Sequence, residues 1–295
     1  MTRSALFEEI KKKQSFLCIG LDTDIALIPK HLLQYADPVL EFNKQIIEAT
    51  KDICISYKPN TAFYETEGSK GWETLKKTFE YIPENIFKIA DAKRGDIGNT
   101  SQKYAEAFFK NMNCDAVTVS PYLGADSVKP FLKYAGKWTI ILGLTSNEGS
   151  NDFQNKELIS PARHDKEVLG SGGGEKNSGN SEGQKLYETV IQTASGWGTP
   201  ENTMFVVGAT HPEALTKIRN IIPDHYLLVP GVGAQGGSLT EIIHHGMNSV
   251  CGLIINSSRG IIYAGSGKDF AEKAREAALL INAEMKKALE LTINN

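Results

Sequence analysis

Residues 86–97 read Ile-Phe-Lys-Ile-Ala-Asp-Ala-Lys-Arg-Gly-Asp-Ile, an apolar run that passes directly into a charged one. The apolar part is typical of a buried β-strand, and side chains on a strand alternate between its two faces. Asp91 and Lys93 are therefore predicted to share one face at the strand's end, with Gly95 allowing a sharp turn before Asp96. If that face lines a barrel, the charges are costly to desolvate unless they are paired or used in chemistry. An ordinary charged turn is the simpler alternative.

Apolar runs of this kind recur along the whole chain, and segments with helical periodicity separate them. The predicted strands are residues 16–21, 53–58, 86–90, 116–119, 138–144, 204–207, 226–229 and 250–255. Strands that alternate with helices indicate a parallel sheet. Their number and the length of 295 residues favour an α/β fold, a closed (β/α)8 TIM barrel. A doubly wound open sheet is the second candidate, although no Gly-x-Gly-x-x-Gly motif follows the first strand.

The stretch 147–182 differs from the rest of the chain. It is polar, and residues 170–179 read Gly-Ser-Gly-Gly-Gly-Glu-Lys-Asn-Ser-Gly, which is a sequence of low complexity. This composition is typical of a mobile loop insertion. We therefore expect residues 1–295 to form a single barrel domain that carries a mobile insertion at about 147–182.

Composition and charge exclude several classes of function. The formal net charge is -3 and no long basic run occurs, which argues against a nucleic-acid partner. No signal-peptide region and no apolar stretch long enough to cross a membrane are present, so we expect no membrane association. The four cysteines form no Cys-x-x-Cys pair, which indicates a reducing, cytoplasmic location. The six histidines show no metal-ligand spacing, so the sequence itself proposes no metal site.

Polar residues follow several of the predicted strands, and the carboxyl ends of barrel strands are where catalytic groups gather. These residues are Asp22, Lys58, Asp91, Lys93 and Ser146. A glycine-rich loop follows the seventh strand and Arg259 follows the eighth, which together favour a phosphate site.

The charged residues around the third strand alternate in sign. Lys58, Asp91, Lys93 and Asp96 are predicted to form a network in which each charge orders the next. A purely structural ion-pair network is the alternative. No nucleophile with a paired base is apparent, which argues against a covalent hydrolase.

The motif Asp91-x-Lys93-x-x-Asp96-Ile97-x-Asn99-Thr100 resembles the signature of the orotidine 5′-phosphate decarboxylase family. The stretch 230–237, Pro-Gly-Val-Gly-Ala-Gln-Gly-Gly, and Arg259 resemble that family as well, and Lys58-Pro59-Asn60 looks most like its longer bacterial branch. The resemblance implies decarboxylation of orotidine 5′-phosphate to uridine 5′-phosphate in de novo pyrimidine biosynthesis, without a metal or an organic cofactor.

The resemblance also implies a role for each matching residue. Lys93 would protonate the ring carbon that loses its carboxylate, Asp91 would lie against that carboxylate, and Lys58 would link Asp91 to the ribose. Asp96, Ile97 and Thr100 would reach into the neighbouring subunit's site, which implies a homodimer with shared active sites. Substrate-binding positions would be Asp22 for the ribose, Ser146 for the pyrimidine amide, Gln235 between base and phosphate, Arg259 for the phosphate, and also Asn60, Pro230, Val232 and Gly233.

Two other functions remain open at this point. A metal-dependent aldolase similar to hexulose-phosphate synthase shares the Asp-x-Lys-x-x-Asp pattern of residues 91–96. A non-catalytic nucleotide-binding barrel would bind uridine 5′-phosphate and leave orotidine 5′-phosphate unchanged.

Overall fold

A computed structural model describes residues 1–158, 183–210, 212–232 and 237–293 of the chain. Within these ranges eight parallel strands close into a barrel. They are β1 Leu17–Gly20, β2 Ser56–Lys58, β3 Phe87–Arg94, β4 Ala116–Val119, β5 Trp138–Leu144, β6 Thr203–Val207, β7 Tyr226–Pro230 and β8 Leu253–Ser257. Each strand pairs with the next along the chain, and β8 pairs with β1 through Ile255 and Leu17. The predicted TIM barrel is confirmed, and the open-sheet alternative is wrong.

Helices surround the barrel, and most of them connect successive strands. They are α1 Arg3–Lys13, α2 Pro38–Thr50, α3 Thr61–Glu65, α4 Gly68–Tyr81, α5 Gly98–Glu106, α6 Ala125–Leu132, α7 Leu186–Ser195, α8 Pro212–Ile221, α9 Leu239–Gly246, α10 Arg259–Ile262 and α11 Phe270–Ile293. The sequence explains the start of α2, where the Asp37 side chain accepts a hydrogen bond from the Leu40 amide and Pro38 takes the first helical position.

The strands are apolar on both faces because one face lines the barrel and the other packs against helices. Phe87, Trp138 and Tyr226 lie near the starts of β3, β5 and β7, and neighbouring rings meet edge to face at 6.2 and 6.4 Å. Alternate strands thus contribute one layer of large side chains, as is usual in such barrels. This layer fills the amino-terminal end, so that the polar strand ends lie at the opposite, carboxyl-terminal mouth.

The structure corrects several predicted boundaries after β3. The strand continues to Arg94, and its register with β4 shifts between Ala90 and Arg94. The sharp backbone conformation expected at Gly95 occurs instead at Lys93 and Gly98, where φ is 46° at each. The helix that follows β3 begins at Gly98 and becomes a π-helix over Ala107–Asn111.

The predicted insertion at about 147–182 is described only at its ends. Glu148–Asp152 forms a 3-10 turn, and Glu157–Leu158 pairs in antiparallel fashion with Gln184–Lys185. Residues 159–182 lie outside the described residues. The prediction of a single domain with a mobile insertion stays a prediction. Among the helices that the structure describes, none combines the length and the apolar character needed to cross a bilayer.

Candidate active site

A carboxylate held between two ammonium groups lies at the carboxyl-terminal mouth of the barrel. Lys58 ends β2, and its Nζ is 2.7 Å from Oδ2 of Asp91 on the neighbouring strand β3. Lys93, two residues after Asp91, places its Nζ 2.6 Å from the other carboxylate oxygen, Oδ1. The structure therefore brings together three of the four residues of the predicted network, which we call the Lys-Asp-Lys triad.

Burial and charge act against each other within the Lys-Asp-Lys triad. Lys58 is 4% exposed and Asp91 is 9% exposed. Burial disfavours the charge on Lys58, but the attraction of Asp91 and Asp22 outweighs it and raises the pKa of Lys58. Burial likewise disfavours the charge on Asp91, yet Lys58 and Lys93 hold the pKa of Asp91 well below its ordinary value. Both groups are therefore charged at neutral pH.

Lys93 differs from Lys58 in exposure and in backbone conformation. Its side chain is 50% exposed, so the ammonium faces the open mouth of the barrel. Its φ of 46° is left-handed, a conformation that costs a residue other than glycine about 1–2 kcal/mol. The Lys93 amide donates to Oγ1 of Thr118 at 2.9 Å, and that hydroxyl donates to Oδ1 of Asp91 at 3.0 Å.

Thr118 is a part of the site that the sequence analysis missed. It lies on β4 and holds both the Asp91 carboxylate and the Lys93 backbone. A threonine within Ala-Val-Thr-Val suits an ordinary strand, because threonine is a good strand former. The available signal was its position as the one polar side chain in a buried run that pairs with β3.

Asp22 and Asn60 lie beside the Lys-Asp-Lys triad and differ in how their side chains are used. Asp22 follows β1, and its Oδ1 is buried without a hydrogen-bond partner in the described protein, which leaves an acceptor for a ligand hydroxyl. The side-chain oxygen of Asn60 accepts from the Ala62 amide at 3.2 Å and so caps α3. Asn60 therefore has a structural use in addition to its predicted place in the binding set.

Ser146 follows β5, and its backbone lies so close to Gly208 that no side chain would fit at that position. A Cβ at Gly208, which follows β6, would come within 2.8 Å of the Ser146 backbone. A Cβ at Gly231, which follows β7, would lie 3.8 Å from Ser146 Oγ. Thr145, the residue before Ser146, is held by Gln154, whose Oε1 accepts a hydrogen bond from the Thr145 amide at 2.7 Å.

The predicted phosphate site lies where β7 and β8 end. Pro230 ends β7, and Val232 forms a β-bridge with Gly237. Gly237 packs closely on Ala209, and a Cβ at Gly237 would come within 1.9 Å of the Ala209 carbonyl oxygen. Arg259 begins α10 directly after β8 and is exposed. Gly233 and Gln235, two of the predicted binding residues, lie outside the described residues.

Within their own chain Asp96, Ile97 and Thr100 do not join the Lys-Asp-Lys triad, so the place of Asp96 in the predicted four-residue network stays a prediction. Within the described chain Asp96 makes no ion pair with Lys93, and its Oδ1 accepts from the Ile97 amide at 2.7 Å. Ile97 is 60% exposed, and Thr100 is exposed as well. The Ser101 hydroxyl contacts the backbone oxygens of Asp96 and Ser127, each at 2.7 Å, and so fixes the loop in this position.

The four cysteines are not suited to nucleophilic chemistry. All four cysteines are buried and unpaired. Burial raises the pKa of Cys18 to about 12, so its thiol is not a nucleophile at neutral pH. In the described ranges no three His, Cys, Asp or Glu side chains cluster in a way that would hold a metal ion.

The arrangement is suited to reactions in which negative charge develops beside Lys93. A fixed ammonium stabilises such a charge and can then donate a proton to it. The Asp91 carboxylate, 2.6 Å from that ammonium, repels any anionic group placed against it. The mouth thus combines a cation, a fixed anion and an acceptor at Asp22.

Comparison with known proteins gives consistent matches over most of the chain. The model of the "Orotidine 5'-phosphate decarboxylase / HUMPS family" matches residues 15–274. Orotidine 5′-phosphate decarboxylase of Bacteroides fragilis (strain YCH46) is 52% identical over 293 residues, which is 98% of this chain and 99% of that protein.

Two solved structures resemble the whole barrel. That of Leishmania donovani OMP decarboxylase has a TM-score of 0.75 and 35% identity, and covers 97% of this chain and 99% of that one. That of Leishmania donovani UMP synthase has a TM-score of 0.77 and 37% identity over 95% of this chain. This chain spans 56% of that longer protein.

Proposed function

The chain belongs to the orotidine 5′-phosphate decarboxylase / HUMPS family, and on that premise we propose that it converts orotidine 5′-phosphate to uridine 5′-phosphate in pyrimidine biosynthesis. It is thus a carboxy-lyase. The observation that carries the proposal is the Asp91 carboxylate between the Lys58 and Lys93 ammonium groups, at 2.7 and 2.6 Å. A relative named orotidine 5′-phosphate decarboxylase covers nearly the whole chain, which favours this reaction over the aldolase and the non-catalytic barrel.

The chemistry follows from the placement of Lys93. When carbon dioxide leaves, the electrons of the broken bond remain on the ring carbon, and the Lys93 ammonium stabilises the carbanion that develops. Lys93 then donates its proton to that carbon and regains one from solvent. Asp91 lies against the substrate carboxylate, where repulsion disfavours the ground state and is relieved as neutral carbon dioxide forms. No metal or organic cofactor is needed for these steps.

The remaining mouth residues bind the nucleotide. Asp22 accepts from ribose hydroxyls through its unpartnered oxygen, and Ser146 contacts the pyrimidine amide. Arg259, with the backbone around Pro230 and Val232, holds the phosphate. Gly233, Gln235 and Asn60 complete the predicted set. Phosphate binding is remote from the reacting carbon, so its binding energy is available to order the loops around the base.

An ultraviolet assay tests this function. Purified protein should remove the absorbance of orotidine 5′-phosphate at the same rate before and after treatment with a strong chelator. Activity that survives the chelator would count against the metal-dependent aldolase class, and activity that is lost on chelation and restored by a divalent metal would contradict the metal-free mechanism. Binding of uridine 5′-phosphate without any loss of orotidine 5′-phosphate would support the non-catalytic barrel.

We also propose that the protein is a cytoplasmic homodimer in which Asp96, Ile97 and Thr100 complete the partner's site. Two observations support the shared site. Asp96 stands outside the Lys-Asp-Lys triad of its own chain, and Ile97 presents a large apolar side chain that is 60% exposed. The buried, unpaired cysteines fit a reducing cytoplasm.

Subunit mixing tests the shared site. Asp91→Ala and Asp96→Ala proteins should each be nearly inactive alone, because each lacks one part of every site. In a mixed dimer one site carries both defects and the other carries neither, so activity should return as subunits exchange. Demonstrated exchange without any return of activity would mean that Asp96 acts within its own subunit.

A further inference from the structure

Arg94, the residue after Lys93, makes side-chain contacts on both sides of the Lys93 backbone. Nη2 of Arg94 forms an ion pair with Oε1 of Glu65. Nη1 of Arg94 donates to the carbonyl oxygen of Ala92 at 3.3 Å. The guanidinium therefore reaches back past Lys93 and bonds to the residue on its other side.

Two aromatic rings hold the same guanidinium. Its central carbon lies 5.3 Å from the centre of the Tyr104 ring and 5.8 Å from that of Phe108. Cation–π contacts of this length are attractive, and a planar guanidinium makes them while it donates hydrogen bonds at its edge. Phe108 lies in the π-helical segment Ala107–Asn111, and π-helical turns occur frequently at functional sites.

The Arg94 backbone is fixed as well. Its carbonyl accepts from the Ser120 amide at 2.8 Å, and Arg94 pairs with Val119 where the β3–β4 register resumes. Lys93 thus lies in the irregular part of β3. The backbones of both its neighbours, Ala92 and Arg94, are held by hydrogen bonds. A left-handed conformation away from glycine persists only when its surroundings determine it in this way.

Glu65 connects this arrangement to the other lysine of the triad. It is the last residue of α3, the short helix that Asn60 caps two residues after Lys58. The ion pair between Glu65 and Arg94 therefore joins the segment that follows Lys58 to the segment that carries Lys93.

We propose that Arg94, held by Glu65, is a positioning residue that sets the location of the Lys93 ammonium by fixing the backbone on both sides of Lys93. The inference rests on the proposed decarboxylation, in which the Lys93 ammonium must lie next to the reacting carbon. Arg94 itself does not touch the substrate in this account. Its loss should lower kcat and leave affinity for the nucleotide nearly unchanged.

Chemical rescue of an Arg94→Ala protein tests the proposal. We expect kcat for orotidine 5′-phosphate to fall by about 10²-fold, the size of effect that a misplacement of about 1 Å produces. The Kd for uridine 5′-phosphate should stay within about 2-fold, because the binding groups lie elsewhere in the mouth. Millimolar ethylguanidinium should restore part of kcat, and ethylammonium, which lacks the planar donors, should not.

The matched control is Arg275→Ala, which removes another arginine–carboxylate pair, the one with Asp52 on the outer surface. It should keep the wild-type kcat. A conservative second variant, Glu65→Gln, should also lower kcat without changing the Kd for uridine 5′-phosphate. It tests the proposal if Arg94→Ala does not fold.

Three outcomes would overturn the proposal: an Arg94→Ala protein with wild-type kcat, a loss that no guanidinium compound restores, or a Glu65→Gln protein with unchanged kcat. Failure of the decarboxylation itself would appear differently, since the wild-type protein would then be inactive in the same assay.

Discussion

The two ends of the barrel use the same kinds of charged side chain in different ways. At the carboxyl-terminal mouth, Lys58 and Lys93 share the carboxylate of Asp91. At the amino-terminal end, Lys13 donates to the carbonyl oxygens of Lys51 and Cys54 at 2.9 and 2.8 Å. Arg219 donates there to backbone carbonyls of Ile222, His225, Gly246 and Gly252.

The difference shows that a perturbed pKa does not by itself identify a catalytic group. Burial lowers the pKa of Arg219 to about 10 and lowers the pKa of Lys13, although both serve the backbone. What distinguishes the mouth is the remaining capacity to interact with a ligand. Half of the Lys93 side chain is exposed there, whereas the donors of Arg219 are bonded to fixed carbonyls. The comparison predicts separate effects on stability and on turnover.

Asp91→Ala should have the largest effect on unfolding. The substitution leaves the buried Lys58 ammonium without the Asp91 carboxylate, and breaking a buried ion pair costs about 4 kcal/mol. Turnover should also be abolished. Urea denaturation measures the change, with Asp52→Ala as the control, because that carboxylate pairs with Arg275 at the surface and contributes no more than about 1 kcal/mol. Equal losses of stability in Asp91→Ala and Asp52→Ala would contradict the distinction between the buried ion pair at the mouth and the surface pair.

Arg219→Met should destabilise the protein by about 3 kcal/mol, because carbonyl groups at the amino-terminal end lose a charged donor. Methionine retains part of the apolar stem, so packing changes little. At a temperature where the variant is folded, kcat per folded molecule should equal that of wild type. A selective loss of kcat in the folded variant would mean that the two ends are coupled.

His225 should make the amino-terminal end sensitive to acid. Burial and the nearby Arg219 charge lower the pKa of His225 from 6.5 to about 4. The unfolded chain therefore binds the proton first as the pH falls, and stability declines from about pH 6.5 toward about pH 4. Between pH 6.5 and pH 5 this contribution amounts to about 2 kcal/mol. His225→Leu should remove that part of the pH dependence, and an unchanged profile would assign the acid sensitivity to other groups.

Much of the fold and part of the site could be predicted from the sequence. The barrel followed from apolar runs of strand length separated by helical patterns. The pairing of Asp91 with Lys93 followed from their spacing, although the backbone at Lys93 is left-handed and not regular strand. The alternation of side chains along a strand still predicted the right pair, because the Lys93 ammonium lies 2.6 Å from Asp91 despite the left-handed backbone.

The rest depends on contacts between distant segments. Arg94 carries no sequence signal that separates it from a surface charge, and the signal at Thr118, a polar side chain in a buried run, does not state what it bonds to. Their uses appear only when β3, β4 and α3 are placed side by side. The alternation of charges alone does not separate Asp96 from the Lys-Asp-Lys triad, because it does not state which charges meet. Only the family resemblance implied that Asp96 reaches the neighbouring subunit's site.

Lys93→Ala should change the free energy of unfolding least among the variants expected to lose turnover, and it tests the separation of roles most directly. The Lys93 side chain is half exposed, and Asp91 keeps its contacts with Lys58 and Thr118, so stability should change by no more than about 1 kcal/mol. Decarboxylation of orotidine 5′-phosphate should fall by at least about 10³-fold, since the charge and the proton donor are both lost. Lys93→Arg should also be inactive, because a guanidinium keeps the charge and does not release a proton at neutral pH. A folded Lys93→Ala protein with near wild-type turnover would contradict the account.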